Sequence, residues 1–513
     1  MLTSVWSAGN SGVDGYIVTV ECNSDVKLGR FEIVGLPDLA VKEAKERVRT
    51  ACINSGFRFP ESEITVNLAP ADRRKEGSGF DLSILLGIIG AAGYLGSVSF
   101  EKKCFVGELS LSGEVRGVRG VLCMCAAARD AGFKEFYAPS ANAAEAASVE
   151  GITVYGVDDV RSLTQHLCGK ERLKPTEAVH TIFEKDGSPP VMDFADIKGQ
   201  GMAKRAMEIA AAGGHNILLI GPPGTGKSMI AKRLPSIMPP LTFEESIETT
   251  KIHSVAGLLP ENVSLLRTRP FRSPHHTMSS ASMVGGGANP VPGEVSLAHN
   301  GVLFLDELPE YSKNVTDSLR QPLEDGKVTI TRVNGRVTYP SSFMLVCAMN
   351  PCKCGYFGHP TEKCTCGEGA VARYISRVSG PLLDRIDIEV EMPSLSIDEM
   401  TSDERGEDSA SIRERVVRAR KMASKRFEGM DGIYCNAQIR PGAPNEVINI
   451  SEAAIELLRK SFSAIGLSAR AYDRIIRVAR TIADLDGSEK VEVPHVAEAI
   501  QYRSLDRKYW RKG

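Results

Sequence analysis

The chain of 513 residues lacks the features that mark secreted and membrane proteins. No basic stretch followed by an apolar stretch opens the sequence, so no signal peptide is predicted. The longest apolar stretch, residues 82–95, is interrupted by glycines and is too short to span a membrane. In a chain of this length, 12 cysteines do not indicate the disulfide framework of a small secreted protein. We therefore expect a cytoplasmic protein with reduced thiols and no membrane partner.

The chain also lacks an excess of either charge. Its formal net charge is −2, so whole-chain charge predicts no partner. Hydrophobic and charged fractions of 42% and 25% are those of an ordinary soluble globular protein. The length predicts several domains, about three. Composition divides the chain into residues 1–175, a linker at 176–191, a region of alternating strands and helices at 192–395, and a helical, basic region at 396–513.

A glycine-rich loop carries the strongest functional signal. The apolar run 216–220 predicts a buried strand before it, and residues 229–234 predict a helix after it. Strand, glycine loop and helix form the context of a Walker A loop, whose backbone N–H groups cradle phosphates. Lys227 is placed to reach the β- and γ-phosphates of ATP, and Ser228 to hold Mg²⁺. The predicted loop consists of Gly221, Pro222, Pro223, Gly224, Thr225, Gly226, Lys227 and Ser228.

Two further strand ends complete a candidate nucleotide site. The apolar run before Asp306 and Glu307 has the Walker B pattern, in which Asp306 supports Mg²⁺ and Glu307 deprotonates the attacking water. A second apolar run, residues 343–349, ends at Asn350. An amide at that strand tip is placed to hold the attacking water or the γ-phosphate, although an asparagine before a proline also suits a simple turn. The sequence therefore predicts an ATPase.

Four longer segments resemble the ComM/YifB family of Mg-chelatase-like AAA+ proteins of bacteria. The resemblance runs from the first residues to about residue 503, and it implies a hexameric helicase that drives branch migration of DNA during natural transformation. It also implies that Arg385 is an arginine finger for a neighbouring subunit and that Arg470 is sensor 2, in its own subunit or the next. The segments are 269–276, 292–307, 320–324 and 379–387.

The resemblance implies an α/β fold in three parts. Residues 1–175 are similar to the Lon protease domain, an α/β domain of the ribosomal S5 domain 2 type; 192–395 match an AAA+ P-loop core with a parallel sheet; and 396–513 match a helical lid. The Lon nucleophile position falls at Gly79, or at Ser78 if the register is off by one, and the lysine position falls at Leu122. We therefore predict a protease fold without protease chemistry, serving DNA binding or ring assembly.

Four cysteines form two close pairs in an insert at residues 352–366. They are Cys352, Cys354, Cys364 and Cys366. Four thiolates suit a tetrahedral structural Zn²⁺ site. The C-x-C spacing is tighter than the usual C-x-x-C, so His359 as a substitute ligand and free reduced thiols remain alternatives. Because the insert directly follows Asn350, we expect it to couple the nucleotide site to something outside the core.

Basic residues mark candidate DNA contacts. A predicted hairpin at 327–338 alternates β-branched residues and has a turn signal at Asn334-Gly335. Lys and Arg on such loops contact phosphates without reading sequence, which suits single-stranded or branched DNA. The basic helix 411–427 is equally explained as a solvated face. The candidate DNA-binding residues are Arg267, Arg269, Arg272, Lys327, Arg332 and Arg336.

The motifs and the family resemblance suggest three possible functions. The leading prediction is an ATP-driven, ring-forming DNA motor. The alternative is an AAA+ ATPase that remodels a protein partner, as a magnesium-chelatase subunit does; the fused N-terminal domain and the cysteine insert argue against it. A Lon-like protease is disfavoured by Gly79 and Leu122.

Overall fold

We analysed a computed structural model of the full chain. The residues that it describes are 1–177, 192–260, 263–287, 290–332, 335–359, 361–367, 369–401, 405–430, 433–440, 442, 444–465, 469–503, 505 and 509–510. Most of the predicted linker 176–191 therefore lies outside the described residues. Within them, no helix is both long and apolar enough to cross a membrane.

A seven-stranded mixed sheet organises the N-terminal part, in the order β3-β4-β2-β1-β5-β8-β9. Its strands, with the small hairpin β6–β7, are β1 (Leu2–Ser11), β2 (Asp14–Leu28), β3 (Phe31–Val34), β4 (Ser62–Ala69), β5 (Lys103–Phe105), β6 (Glu108–Leu109), β7 (Val115–Arg116), β8 (Glu135–Pro139) and β9 (Thr153–Val157). The helices are α1 (Leu39–Asn54), α2 (Asp81–Ala91), α3 (Val121–Asp130), α4 (Ser140–Ala146) and α5 (Val160–Leu167). The longest apolar stretch of the sequence forms α2, which is buried on nearly all sides. A helix that is apolar all round belongs in a core, and α2 lies between α1 and the sheet.

The second sheet has five strands, all parallel, in the order β11-β14-β17-β10-β18. They are β10 (Ile217–Ile220), β11 (Phe271–Arg272), β14 (Val302–Leu305), β17 (Met344–Met349) and β18 (Ile388–Glu391). The residues of β10, β14 and β17 are buried throughout, as expected when helices cover both faces of a parallel sheet. Since the strands run in one direction, their carboxyl ends share one edge, which brings together the loops after β10, β14 and β17.

Helices of the central part cover this sheet. They are α6 (Gly201–Gly213), α7 (Lys227–Ile237), α8 (Phe243–Ala256), α9 (Ser280–Val284), α10 (Glu294–Leu297), α11 (Lys313–Ser318), α12 (Arg320–Asp325), α13 (Ala370–Ile375) and α14 (Gly380–Leu383). Two small hairpins project from it, β12 (Gly285–Gly286) with β13 (Val291–Pro292), and β15 (Lys327–Arg332) with β16 (Gly335–Pro340). Arg332 pairs with Gly335 in the second hairpin. Gly335 therefore belongs to a strand rather than to the predicted turn, and Asn334 lies outside the described residues.

The C-terminal part is helical, as predicted. Its helices are α15 (Ile397–Thr401), α16 (Ser409–Arg426), α17 (Asn445–Ile448), α18 (Glu452–Ile465), α19 (Ala469–Leu485) and α20 (Val493–Gln501). Ser451 begins α18 as its sequence suggests, because its hydroxyl accepts a hydrogen bond from the Ala454 amide at 3.3 Å. The apolar face of α19 shares one hydrophobic core with β10 and β18, so the helical part packs directly against the sheet that carries the glycine-rich loop.

Candidate functional site

The glycine-rich loop joins β10 to α7, as the sequence predicts. Gly224 and Gly226 have φ of 79° and 86°, in the left-handed region that favours glycine. Gly221 is required for a different reason, because a Cβ atom there would lie 2.3 Å from the carbonyl oxygen of Met392. The loop therefore has the backbone of a phosphate cradle at the amino end of a helix.

Lys227 is buried at the start of α7. Its Nζ donates hydrogen bonds to the carbonyl oxygens of Gly221 and Pro222, both at 2.7 Å, and to Asn350 Oδ1 at 3.1 Å. Burial lowers the pKa of Lys227 to about 8. The ammonium is thus held over its own loop by neutral acceptors, which phosphate oxygens can replace.

Ser228 and Asp306 form the adjoining oxygen cluster. The Ser228 hydroxyl donates to Asp306 Oδ2 at 2.6 Å, and the Glu307 amide donates to Asp306 Oδ1 at 2.9 Å. A hydroxyl and a carboxylate are the hard oxygen ligands that Mg²⁺ uses together with substrate phosphates. The sheet edge therefore brings together the predicted Mg²⁺ ligands Ser228 and Asp306, although they are 78 residues apart in sequence.

Glu307 is exposed and adopts a left-handed backbone, with φ of 52°. Such a conformation costs energy in a non-glycine residue and is often found at functional sites. One carboxylate oxygen of Glu307 lies 3.5 Å from Nδ1 of His276, whose ring stacks on His275 at 4.2 Å between centroids. In the sequence both histidines follow the basic residues Arg267, Arg269 and Arg272. Their proximity to Glu307 depends on β11 and β14 being neighbours, which no local pattern reveals.

Arg385 lies at the opposite edge of the same sheet. Its carbonyl oxygen accepts from Nδ2 of Asn216, the residue before β10, at 2.8 Å. Its guanidinium donates to the Pro381 carbonyl and to Glu324, and not to the nearby acids Asp384 and Asp387. Arg385 is thus at the amino edge, whereas Lys227 follows the carboxyl edge.

Arg470 lies beside Arg385 at this amino edge. Its exposed guanidinium pairs with Asp384, the neighbour of Arg385. The buried Arg474 fixes the same carboxylate at 3.1 Å and also donates to the Ile386 carbonyl at 3.2 Å. The predicted arginine finger Arg385 and the predicted sensor 2 residue Arg470 therefore lie together, on the side of the sheet away from their own subunit's glycine-rich loop.

The four cysteines of the insert converge. The Cys352 sulfur lies 3.3 Å from that of Cys354 and 3.7 Å from that of Cys364, and all four Sγ atoms are within 4.8 Å of one another. His359 does not join them, because its Nε2 contacts Ser394 Oγ at 2.9 Å and its Nδ1 accepts from the Glu362 amide at 2.9 Å. The donor set that could hold a metal is therefore Cys352, Cys354, Cys364 and Cys366, four sulfurs at a separation that suits one tetrahedral ion.

Two of the predicted DNA-contact residues form ion pairs within the fold. The Arg269 guanidinium is mostly buried; it pairs with Glu245 at 2.8 Å and donates to the Asn300 carbonyl at 2.7 Å. Arg272 forms a two-point ion pair with Glu294 at 2.7 and 2.8 Å. Both guanidiniums are therefore already paired with a carboxylate of the same chain, and a contact of either with DNA stays a prediction.

The other predicted DNA contacts differ in exposure. Lys327 and Arg336 are exposed on the hairpin β15–β16, whereas Arg267 is half-buried. The side chain of Arg332 lies outside the described atoms. The hairpin therefore retains two outward-facing cations.

The N-terminal part contains no protease dyad at the positions expected for one. Gly79 has no side chain, and the hydroxyl of Ser78 donates to Glu108 rather than facing a lysine. Leu122 is fully buried, and its amide donates to Glu145 at 3.0 Å. Glu145 also accepts from Ser254 of α8, so this region joins the N-terminal part to the central part.

The fold and the site define a class of protein. Its features are those of an AAA+ P-loop protein: a five-stranded parallel sheet, a glycine-rich loop between strand β10 and a helix, acids after β14, an asparagine after β17, and a helical C-terminal part.

Comparisons with known proteins specify the family. Family patterns described as magnesium chelatase, subunit ChlI, match residues 193–400, 20–142 and, for the subunit's C-terminal part, 406–503. The chain is 42% identical over 510 residues to competence protein ComM of Haemophilus influenzae, which covers 99% of this chain and 98% of that protein. It is 41% identical over 511 residues to YifB of Escherichia coli K12, with coverage of 99% and 98%. A magnesium-chelatase subunit ChlI homolog of Methanocaldococcus jannaschii is 21% identical over 355 residues, covering 61% of this chain and 84% of that protein. The chain belongs to the ComM/YifB family of Mg-chelatase-like AAA+ proteins.

Proposed function

We propose that this protein is a Mg²⁺-dependent ATPase that assembles into a ring and uses ATP to move or remodel DNA. One observation carries the ring: Lys227, Asp306 and Asn350 lie at the carboxyl edge of the parallel sheet, whereas Arg385 and Arg470 lie at its amino edge. A nucleotide bound at one edge can meet these arginines only if another subunit supplies them. The site would therefore be complete only between subunits, and a head-to-tail contact of this kind forms a ring when the rotation between neighbours closes. We favour a hexamer, from the family resemblance.

At the carboxyl edge each side chain has a task in ATP hydrolysis. Lys227 would exchange its two carbonyl partners for phosphate oxygens, and Ser228 with Asp306 would hold Mg²⁺, whose charge would offset that of the phosphates. Glu307 would take the proton of the attacking water, and Asn350, already bonded to Lys227, would orient that water. Arg385 of the next subunit would neutralise charge on the transferred phosphoryl group, with Arg470 of the same neighbour supporting it.

DNA is the proposed substrate of the motor. The relative from Haemophilus influenzae is named a competence protein, and the family resemblance implies branch migration of DNA, so DNA is the substrate that we favour. Lys327 and Arg336 on the hairpin β15–β16 supply exposed cations without a base-reading surface, so we expect sequence-independent contacts with single-stranded or branched DNA in the cytoplasm.

The cysteine insert is proposed to hold one structural Zn²⁺. Four thiolates at these separations form a closed tetrahedral site with no open position for substrate, which favours a structural over a catalytic ion. The ion would fix the insert beside the nucleotide site.

The ATPase rate with and without forked DNA tests the proposal. We expect stimulation by forked DNA in the wild type and loss of both basal and stimulated rates in Lys227→Ala. A wild-type rate that does not respond to DNA would favour the alternative suggested by the magnesium-chelatase patterns, namely remodelling of a protein partner. Casein cleavage, expected to be absent, tests for residual protease activity.

A further inference from the structure

The insert begins just after Asn350 of the nucleotide site, and the loop between its two cysteine pairs contacts that site again. Gly355, the residue after Cys354, is buried and has φ of 90°. A Cβ atom at this position would lie 2.4 Å from Cδ of Pro223 in the Walker A loop. The insert backbone therefore rests on the ring of Pro223, at a distance that excludes even one methyl group.

A second contact of the same loop reaches the Walker A loop from its other side. Nδ1 of His359 accepts from the Glu362 amide, so Nε2 carries the proton of the neutral ring and donates to Ser394 Oγ at 2.9 Å. Ser394 follows β18 and ends a short segment, Met392–Ser394, that lies directly against the Walker A loop.

Two contacts join that segment to the loop. The carbonyl of Met392 occupies the space that a side chain at Gly221 would need. The Pro393 carbonyl accepts from Nε2 of Gln200 at 2.8 Å, and the same nitrogen lies 3.3 Å from the carbonyl of Thr225. The insert thus reaches the Walker A loop directly through Gly355 and indirectly through His359.

Both contacts lie between the cysteine pairs. Gly355 and His359 lie between Cys354 and Cys364 in the sequence. The sulfur atoms of these two cysteines lie within 4.8 Å of each other. A metal ion that joins the pairs would close this stretch into a short ring and hold both contacts in place. Without the ion, the start of the stretch is held by short-range bonds, among them the turn bonds from the Gly355 amide to the Cys352 carbonyl at 3.0 Å and from the His359 amide to the Tyr356 carbonyl at 3.1 Å.

We propose that metal bound by the four cysteines holds Gly355 and His359 in their contacts beside the Walker A loop, as a clamp, and so raises the affinity of the protein for nucleotide. The inference rests on the zinc site proposed above. Because coupling between two binding sites is reciprocal, nucleotide must raise the affinity for zinc by the same factor. The insert would thus make nucleotide binding depend on the supply of a thiophilic metal.

Binding of a fluorescent ADP analogue to the full-length protein tests the clamp, with zinc per chain measured by elemental analysis. We expect the dissociation constant to rise at least about fivefold when zinc is stripped by a chelator, and to recover when Zn²⁺ is restored. Gly355→Ala is expected to keep its zinc and still bind the analogue more weakly, because the added methyl displaces Pro223 or the insert. Two matched controls are expected to bind as the wild type does: Gly367→Ala, directly after the insert, where a Cβ meets open space, and Cys168→Ser at an exposed cysteine.

The outcomes separate the two proposals. Protein that neither contains zinc nor takes it up would remove the zinc site and the clamp with it. Zinc bound at one ion per chain, together with an unchanged dissociation constant after stripping, would overturn the clamp and leave the zinc site standing. A zinc-loaded Gly355→Ala variant with wild-type affinity would also overturn the clamp. Because this variant keeps all four cysteines and its zinc, it tests the clamp even if the stripped wild-type protein unfolds.

Discussion

Two variants that are each inactive should restore ATP hydrolysis when they are mixed. Lys227→Ala removes the phosphate-binding half of the site, and Arg385→Ala removes the arginine half. The Arg385 carbonyl is bonded to Asn216 before β10, whereas Lys227 lies beyond the other end of that strand. At about 3.3 Å of rise per residue, the four residues of β10 alone separate the two edges by about 13 Å, before the glycine-rich loop is added. Each subunit therefore contributes its two halves to different sites.

The size of the recovery follows from this geometry. In an equimolar, randomly mixed ring, half of the subunits have an intact Lys227 and half of their neighbours have an intact Arg385. About a quarter of the sites are then complete, whatever the number of subunits, so the mixture should reach about a quarter of the wild-type rate if sites act independently. Each variant alone should lose about 10³-fold or more, the usual contribution of an arginine finger.

A coupled assay of phosphate release measures the recovery after subunit exchange, which fluorescence transfer between labelled subunits verifies. Lys227→Ala mixed with Glu307→Gln is the matched control, because both changes damage the same half and no complete site can form. A verified mixed ring with no more activity than the two variants alone would refute action in trans and, with it, the argument for the ring.

Three further predictions concern catalysis, DNA and folding. Glu307→Gln should bind a fluorescent ATP analogue as the wild type does but hydrolyse ATP about 10²- to 10⁴-fold more slowly, since the base is lost while the phosphate contacts remain; unchanged turnover in a phosphate-release assay would exclude Glu307 as the base. Lys327→Ala should reduce the slope of log K for forked DNA against log salt by about one, measured by fluorescence anisotropy, whereas Lys421→Ala on α16 should leave it unchanged; equal effects would indicate that the hairpin has no special role. Burial alone would raise the pKa of Asp387, but Arg477 and His215 outweigh it and lower this pKa to about 2, so the carboxylate stabilises the fold above about pH 4 and the contribution is lost as pH falls through 2. Asp387→Asn should therefore cost about 2 to 3 kcal/mol at neutral pH and flatten the acid side of the stability curve in urea denaturation followed by circular dichroism; a variant as stable as the wild type would contradict this.

Local patterns predicted the elements of the nucleotide site closely. The apolar run 216–220 became β10 at Ile217–Ile220, and the basic amphipathic stretch 411–427 became α16 at Ser409–Arg426. Three parts of the site could be predicted from the sequence because each is a short motif at the end of a strand: the Walker A loop, the acids after β14 and the asparagine after β17. All carboxyl ends of a parallel sheet lie at the same edge. The prediction of a parallel sheet therefore already implied that these three motifs would meet there.

Charge patterns predicted less, because the sequence does not show which basic residues are already neutralised. Arg269 looked like part of a DNA-binding cluster, yet its partner Glu245 is 24 residues earlier and a helix brings it close. The contact of His276 with Glu307 depends in the same way on the pairing of β11 with β14. Asn334-Gly335 predicted the hairpin correctly but not its register, since Gly335 pairs within the strand.

The sequence by itself determined the chemistry that this protein brings: a phosphate loop, two acids, an asparagine, four paired cysteines and two arginines in recognisable motifs. Those choices are local, because each depends on side-chain type and on spacing within one element. Only the tertiary structure decided how they are grouped. It placed Arg385 and Arg470 on the edge opposite Lys227, gathered four sulfurs within 4.8 Å, and seated Gly355 on Pro223. These are contacts between distant segments, and they form only when the strand order and the packing of the sheet are fixed.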